Sequence, residues 1–171
     1  YPSGGTNLPR DIIVDDNGNV YVYGRGTTIL KYGPEGNLLW NRTYSFEAAE
    51  TNKVLCSDNS GSIYFAAKKS TATFGDFAVV KINSSGDTLW SRVYNGLGNL
   101  QTNHDDPAAL CLDNSGNIFL TGQVYNLSSY FFSTIKYNSS GNFQWERVYS
   151  NPQNGEGGNA VLTDNTGNVY V

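Results

Sequence analysis

No methionine occurs among the 171 residues, histidine occurs once and cysteine twice. A chain without Met is not an unprocessed translation product, so the sequence reads as a mature form or a piece of a longer one. One histidine, His104, leaves little for a His-based metal or proton-transfer site. Charge is also scarce, with Asp, Glu, Lys and Arg at 15% against roughly 25% in a typical soluble domain. Eleven Lys and Arg face fifteen Asp and Glu, for a net charge of -4, and no basic cluster stands out, which argues against binding a phosphate backbone. No apolar run approaches the ~18 residues of a membrane span, and the opening YPSGGTNLPR has neither a charged nor an apolar leader region. Neither nucleic acid nor a membrane span is expected.

What the chain has in quantity is glycine (19), asparagine (21) and aromatic residues, with 12 Tyr, 8 Phe and 3 Trp. Disordered chains are poor in aromatic and β-branched residues, so disorder is excluded. Gly, Asn, Ser and Thr are weak helix formers, and no stretch sustains an i, i+3, i+4 apolar pattern over ten residues. The composition reads as all-β.

Two motifs alternate along the chain. The first is DDNGNVYVYG at 15–24, DNSGSIYFAA at 58–67, DNSGNIFLTG at 113–122 and DNTGNVYV at 164–171. The second is KYGPEGNLLWNRTY from Lys31, KINSSGDTLWSRVY from Lys81 and KYNSSGNFQWERVY from Lys136. The first recurs at Gly18, Gly61, Gly116 and Gly167, and the second at Trp40, Trp90 and Trp145, a period near fifty residues. Each full repeat holds four short strand-like runs, or two hairpins. Asp or Asn, two small polar residues and Gly fit a type I turn closed by a left-handed Gly, with the Asp side chain capping its own turn. A four-stranded unit repeated in tandem at ~40 to 50 residues is the signature of a β-propeller blade.

The combined blocks, GN-V/I-Y/F followed by KYNSSG and W-x-R-x-Y, resemble the SBBP repeats of bacterial and archaeal secreted seven-bladed propellers. The resemblance spans nearly the whole chain. It implies an extracellular or cell-surface propeller module of a larger protein but no single activity, since one fold hosts many functions. The repeats give blades at about 10–45, 53–95 and 108–150 and a half-blade at about 159–171, an incomplete ring of about three and a half blades. Seven would need roughly 350 residues. The expected partners are the remaining blades of the same longer chain, or other copies joined by edge pairing.

Several residues are candidates for chemistry. Trp40, Arg42 and Tyr44 alternate along one strand, as do Trp90, Arg92, Tyr94 and Trp145, Arg147, Tyr149, so each trio shares one face. An Arg between aromatic rings suits a cation–π stack. Recurrence in every full repeat favours inter-blade packing over a sugar or cation platform. Lys31, Lys81 and Lys136 read as surface or cross-strand charge partners. Eight residues before the aligned turn aspartates lie Asn7, Glu50, Asp105 and Glu156. In a propeller these could form an acidic ring at the channel mouth, beside His104, for a cation such as calcium or for a polyol; loop capping is the simpler role. The Asp-rich turns themselves lack the twelve-residue ligand pattern of a calcium loop. No cofactor is expected.

Cys56 and Cys111 stand where other copies have Ile13 and Leu162, so they read as small core residues and free thiols. Sequons fall at Asn41, Asn83, Asn126 and Asn138. Together these features suggest a non-catalytic module for adhesion, recognition or scaffolding in a larger surface or filament protein, with carbohydrate as a ligand class. The alternative is a propeller enzyme, or a carbohydrate- or metal-binding domain, working at an acidic channel mouth.

Overall fold

Turns of one kind set the spacing of the strands in the computed structural model, which describes residues 8–49, 54–71, 74–95, 105–126, 129–149 and 158–171. Gly18, Gly36, Gly61, Gly86, Gly116, Gly141 and Gly167 all have φ between +74° and +88°, a region only Gly enters freely. Each Gly N–H donates to the carbonyl three residues earlier. In six of these turns the first residue is Asp15, Asp58, Asn83, Asp113, Asn138 or Asp164. Its Oδ1 accepts the backbone N–H groups two and four residues on, at 2.8–3.1 Å. One side-chain oxygen thus replaces the hydrogen bonds that the tight chain reversal denies to its own backbone.

These turns join strands into antiparallel sheets. The first contains β1 (Pro9–Val14), β2 (Val20–Gly24), β3 (Thr28–Tyr32) and β4 (Leu38–Thr43), paired in chain order. The second contains β5 (Glu47–Ala48), β6 (Leu55–Ser57), β7 (Ile63–Thr71), β8 (Phe74–Ile82) and β9 (Thr88–Tyr94). The third runs β10 (Asp106–Leu112), β11 (Ile118–Asn126), β12 (Ser129–Tyr137) and β13 (Phe143–Tyr149), and a fourth pairs β14 (Leu162–Thr163) with β15 (Val169–Tyr170). The described residues contain no helix, so none is long and apolar enough to cross a membrane.

Two sheets depart from four strands, the fourth with two among the described residues and the second with five. In the second sheet the first strand is split, because Ala48 pairs with Ala67 and Leu55 with Phe65. On β7 only Ala66 lies between those two partners, and its N–H is satisfied by the Val54 carbonyl at 2.8 Å. Ala49 and Val54 are both buried in the core.

The register aligns equivalent residues in rows across each sheet. Ile13, Tyr21, Lys31 and Trp40 form one row. Cys56, Tyr64, Lys81 and Trp90 form the next, and Cys111, Phe119, Lys136 and Trp145 the third. Leu162 and Tyr170 start a fourth. Each ammonium lies 4.8–5.1 Å from the centroid of its neighbouring ring, and each of those rings is 6.0 Å from its Trp. Such cross-strand contacts hold the face of a sheet together. A large core cluster joins the first three sheets around Tyr23, Phe65, Phe77 and Ile135, and a smaller one, Ala109, Phe119 and Val161, joins the third and fourth.

Asp58 adds an ion pair to the hydrogen bonds of its turn. Burial pushes its carboxyl up, but hydrogen bonds from Ser60, the Ser62 N–H and the Tyr64 hydroxyl, with Lys81, outweigh this and bring it from 3.8 down to about 2. Lys81 Nζ lies 3.2 Å from Asp58 Oδ2. Asp15, Asp113 and Asp164 are lowered as well. A carboxyl depressed in the folded state adds stability above its unfolded pKa and loses it as pH falls through the folded one. Asp58→Asn keeps the Oδ1 acceptor but loses the ion pair. Its expected cost at neutral pH is on the order of 1 kcal/mol after solvent screening, with a shallower loss of stability between about pH 4 and 2. Urea denaturation across that range measures both, and an acid limb identical to the parent's would refute the assignment.

Candidate functional site

The seams between sheets gather most of the residues singled out by the repeat. Trp40, Arg42 and Tyr44 face the second sheet's turn 83–86. Trp40 Nε1 and Lys31 Nζ each donate to the Ser84 carbonyl at 3.1 Å, and the Tyr44 hydroxyl donates to the Gly86 carbonyl at 2.8 Å. A Cβ on Gly86 would stand 3.0 Å from Arg42 Cγ and 3.3 Å from the Trp40 ring. The next seam repeats this. Arg92 Nε donates to the Gly141 carbonyl at 2.7 Å, and a Cβ on Gly141 would stand 3.1 Å from Trp90. Tyr94 stacks on Phe143 at 6.1 Å with 4° between the rings. Each of these two trios thus grips the turn of the following sheet.

Trp145, Arg147 and Tyr149 lie on β13, past which the described residues offer no such turn. Arg147 stacks over its own Trp145 at 5.5 Å, and Tyr149 is 53% exposed, whereas Tyr44 and Tyr94 are half-buried.

The lysines are less exposed than a surface role requires. Lys31 is buried, because its stem lies in the seam while its ammonium reaches Ser84. Lys81 is a cross-strand charge partner of Asp58.

Of the acidic ring candidates, only Asp105 lies among the described residues; Asn7, Glu50, His104 and Glu156 lie outside them. Asp105 is fully buried, its carboxylate accepts the Tyr125 N–H at 3.2 Å and its own N–H donates to the Gly75 carbonyl. It clamps β10 to β11 and to the second sheet. Among the described residues, no three His, Cys, Asp or Glu side chains converge as metal ligands.

The sequons differ in setting. Asn41 is exposed on β4, whereas Asn83 and Asn138 use their Oδ1 atoms as turn caps. Asn126 ends β11.

A shallow groove of about 410 Å3 opens along the second seam, lined by Arg92, Tyr94, Tyr137, Asn142 and Phe143. The motifs alone did not single it out. Its signal is a departure from the repeat, since Phe143 stands where the other copies have Leu38 and Thr88. Burial and the bonded Glu146 carboxylate push the Tyr94 hydroxyl's pKa up, and burial takes Tyr137 to about 12. Both phenols are therefore neutral at any physiological pH, and the Tyr94 hydroxyl is already bonded to Glu146. Rings, a guanidinium and an amide side by side offer stacking and hydrogen bonds to a polar, weakly charged ligand.

Both cysteines are free thiols packed against the core. Burial raises Cys111 to about 11 and Cys56 well above its ordinary value, so neither is a ready thiolate. Two thiols per chain are expected to react with a disulfide reagent under denaturing, non-reducing conditions, and neither quickly in the native state; finding none after denaturation would refute this. The seam makes a second prediction. Gly61→Ala, where an added Cβ meets nothing within 4 Å, should cost only the left-handed strain of about 1 kcal/mol. Gly141→Ala adds overpacking against Trp90, for a further ~1 to 3 kcal/mol. Equal losses on urea denaturation would show that the trio does not grip the turn.

By sequence, no known family pattern and no curated protein matches the chain. Solved structures do resemble it in fold. A protein of unknown function from Bacteroides caccae aligns with 99% of this chain at TM-score 0.61 and 13% identity, over 54% of its own length. The quinohemoprotein alcohol dehydrogenase of Comamonas testosteroni aligns with 84% at TM-score 0.61 and 14% identity, over 21% of its length. The extracellular domain assigned to a hybrid two-component system, BT3049 of B. thetaiotaomicron, aligns with 99% at TM-score 0.54 and 18% identity, over 22% of its chain. The chain thus spans about half of the first and about a fifth of the other two, and at such identities the likeness is one of fold: an all-β, β-propeller-like stack of antiparallel sheets.

Proposed function

We propose that the chain is a non-catalytic, extracellular module of the SBBP repeat type. In this reading it supplies three and a half blades of a seven-bladed propeller that serves adhesion, recognition or scaffolding in a larger surface assembly. The observation that carries the reading is the commitment of the repeated side chains to holding the stack together. The turn carboxylates are bonded to their own turns, the lysines to aromatic rings and seams, and two of the three trios to the following sheet. What repeats is mechanical, so recognition falls to positions where the repeats differ. Phe143, which walls the groove beside Arg92 and Tyr94, is such a position, and carbohydrate is the ligand class that its exposed ring face suits. The likeness to an extracellular domain supports the location. The enzyme alternative has less support, since Asp105, the described member of the acidic ring, is turned inward to a backbone N–H.

Screening the protein on immobilised polysaccharides and a glycan array should give saturable binding that survives chelation of divalent cations. Phe143→Ala should weaken it about tenfold, the effect of losing one stacking face. Dye-linked oxidation of an alcohol with added quinone and calcium, or stoichiometric calcium uptake in a titration, would overturn the reading in favour of an enzyme.

A further inference from the structure

The first and second seams share the same grip but not the same charges. After the turn glycine comes Asp87 in the first and Asn142 in the second, followed by Thr88 and Phe143. Asp87 Oδ2 accepts the Asn83 side-chain amide at 3.1 Å. Burial raises the Tyr44 hydroxyl to about 12, with Arg42 pulling it down and Asp87 pushing it up, so both charges lie near that phenol. The first seam therefore holds an anion of its own in the neighbourhood of its arginine. In the second seam the equivalent side chain is the neutral amide of Asn142, exposed and without a hydrogen-bond partner among the described residues.

Arg92 is left without a carboxylate. Half-buried over Trp90, it donates from Nε to the Gly141 carbonyl at 2.7 Å, from one terminal nitrogen to the Ser91 carbonyl at 2.9 Å and from the other to the Ser140 carbonyl at 3.4 Å. All three acceptors are neutral. A guanidinium has five N–H groups, so one on each terminal nitrogen is uncommitted. No ion pair reaches it among the described residues, and none of the groove's lining residues is acidic. The nearby Glu146 carboxylate is already taken, by the Ser133 hydroxyl at 2.6 Å and by the Tyr94 hydroxyl. Beside the guanidinium, Phe143 stacks on Tyr94 and is still 51% exposed, which leaves ring surface open to the groove.

We propose that the second seam binds an acidic sugar, a hexuronate residue of a polysaccharide. The inference rests on the reading of the groove as a carbohydrate site and names the charge of its ligand. The pyranose lies on the Phe143 ring, and its carboxylate takes the open N–H groups of Arg92, the charge-assisted contact that a guanidinium favours. The Asn142 amide donates to a hydroxyl of the same sugar. The ligand thus brings the anion that Asp87 brings to the first seam, where Thr88 offers no ring to stack on. Recognition uses both departures from the repeat together, an amide in place of an acid and a ring in place of a hydroxyl.

The probes are a galacturonate oligosaccharide, its methyl ester and the neutral galactose oligosaccharide, titrated calorimetrically into the full 171-residue chain with a chelator present. The acid should bind about tenfold more tightly than the ester, the effect of one charge-assisted pair. That margin should vanish near 1 M salt, where the screening length is about 3 Å. Asn142→Asp should abolish it as well. This variant restores the acid of the first seam, and Asn138 can donate to it as Asn83 does to Asp87, so the turn is kept and the unfolding midpoint is the control. Phe143→Ala should weaken acid and ester alike. Equal binding of acid and ester by the parent, or a margin that Asn142→Asp leaves intact, would overturn the inference. So would acid binding that Phe143→Ala leaves unchanged, or an oligoglutamate bound as tightly, since charge alone would then account for it. Acidic and neutral sugars bound equally, both weakened by Phe143→Ala, would refute this inference alone. No binding of any of the three sugars at about 1 mM, the weak end of specific affinity, would overturn the carbohydrate reading with it. Acid preference accompanied by alcohol oxidation would refute the proposed non-catalytic function and leave this inference standing.

Discussion

The hydrogen bonds that one turn oxygen accepts from two backbone N–H groups are the constraint on which the rest of the molecule depends. A hairpin's register is fixed by its turn, and a slip of one residue would move every side chain to the opposite face of the sheet. Here the Asp or Asn Oδ1 and the left-handed Gly leave one spacing between the strands. That spacing places Tyr64 opposite Lys81 and Lys81 opposite Trp90, and it does the same in the neighbouring sheets. The ring, ammonium and indole rows follow from the turn rather than from any strong preference of those residues for one another.

The same turn also makes the contact between sheets. Once the side-chain oxygen satisfies the inner N–H groups, the turn's own carbonyls at Ser84, Gly86 and Gly141 point outward, and these are the atoms that Trp40, Tyr44 and Arg92 bond. Each such bond contributes about 1 kcal/mol net, and the missing Cβ of glycine lets an indole lie flat against the backbone. Replacing that glycine would strain φ and block the seam together. Local geometry and sheet-to-sheet packing are in this sense one requirement, which explains why the turn and the trio recur as a pair.

Much of this was legible in the sequence because it repeats. The turn type, the positive φ at Gly18, Gly61, Gly116 and Gly167, the core setting of Cys56 and Cys111, and the shared face of each trio all follow from aligned copies. What was not legible is what a single copy does. The first strand of the second sheet is split between Ala48 and Leu55, with the Ala66 N–H bonded to the Val54 carbonyl, which no periodic pattern marks. The burial of Lys31 depends on a carbonyl fifty-three residues away. The offset of Asp105 from the turn sets its place before β10, while its bonds are to the Tyr125 N–H and the Gly75 carbonyl on other strands. Offset along the chain fixes which strand a residue enters, not what its side chain meets.

That division bears on where a repeat protein keeps its specificity. At the Tyr21 and Tyr64 positions the phenol serves the turn aspartate; in the third sheet Phe119 takes the place, and Asp113 keeps the Asn117 amide at 2.7 Å, as Asp15 keeps that of Asn19. The substitution is absorbed without altering the row, since Lys136 still lies over the Phe119 ring. A change at Phe143, where the other copies have Leu38 and Thr88, has a different effect, because its side chain lies in the seam beside the gripped turn, where nothing in the turn's own hydrogen bonding requires it. Phe143 can therefore stack on both Tyr94 and Tyr137 and build a groove wall that the first seam does not share. Positions inside the turn and row are held by mechanics, and positions flanking them are free to diverge, so the seam is where such a stack can acquire a ligand while keeping its fold.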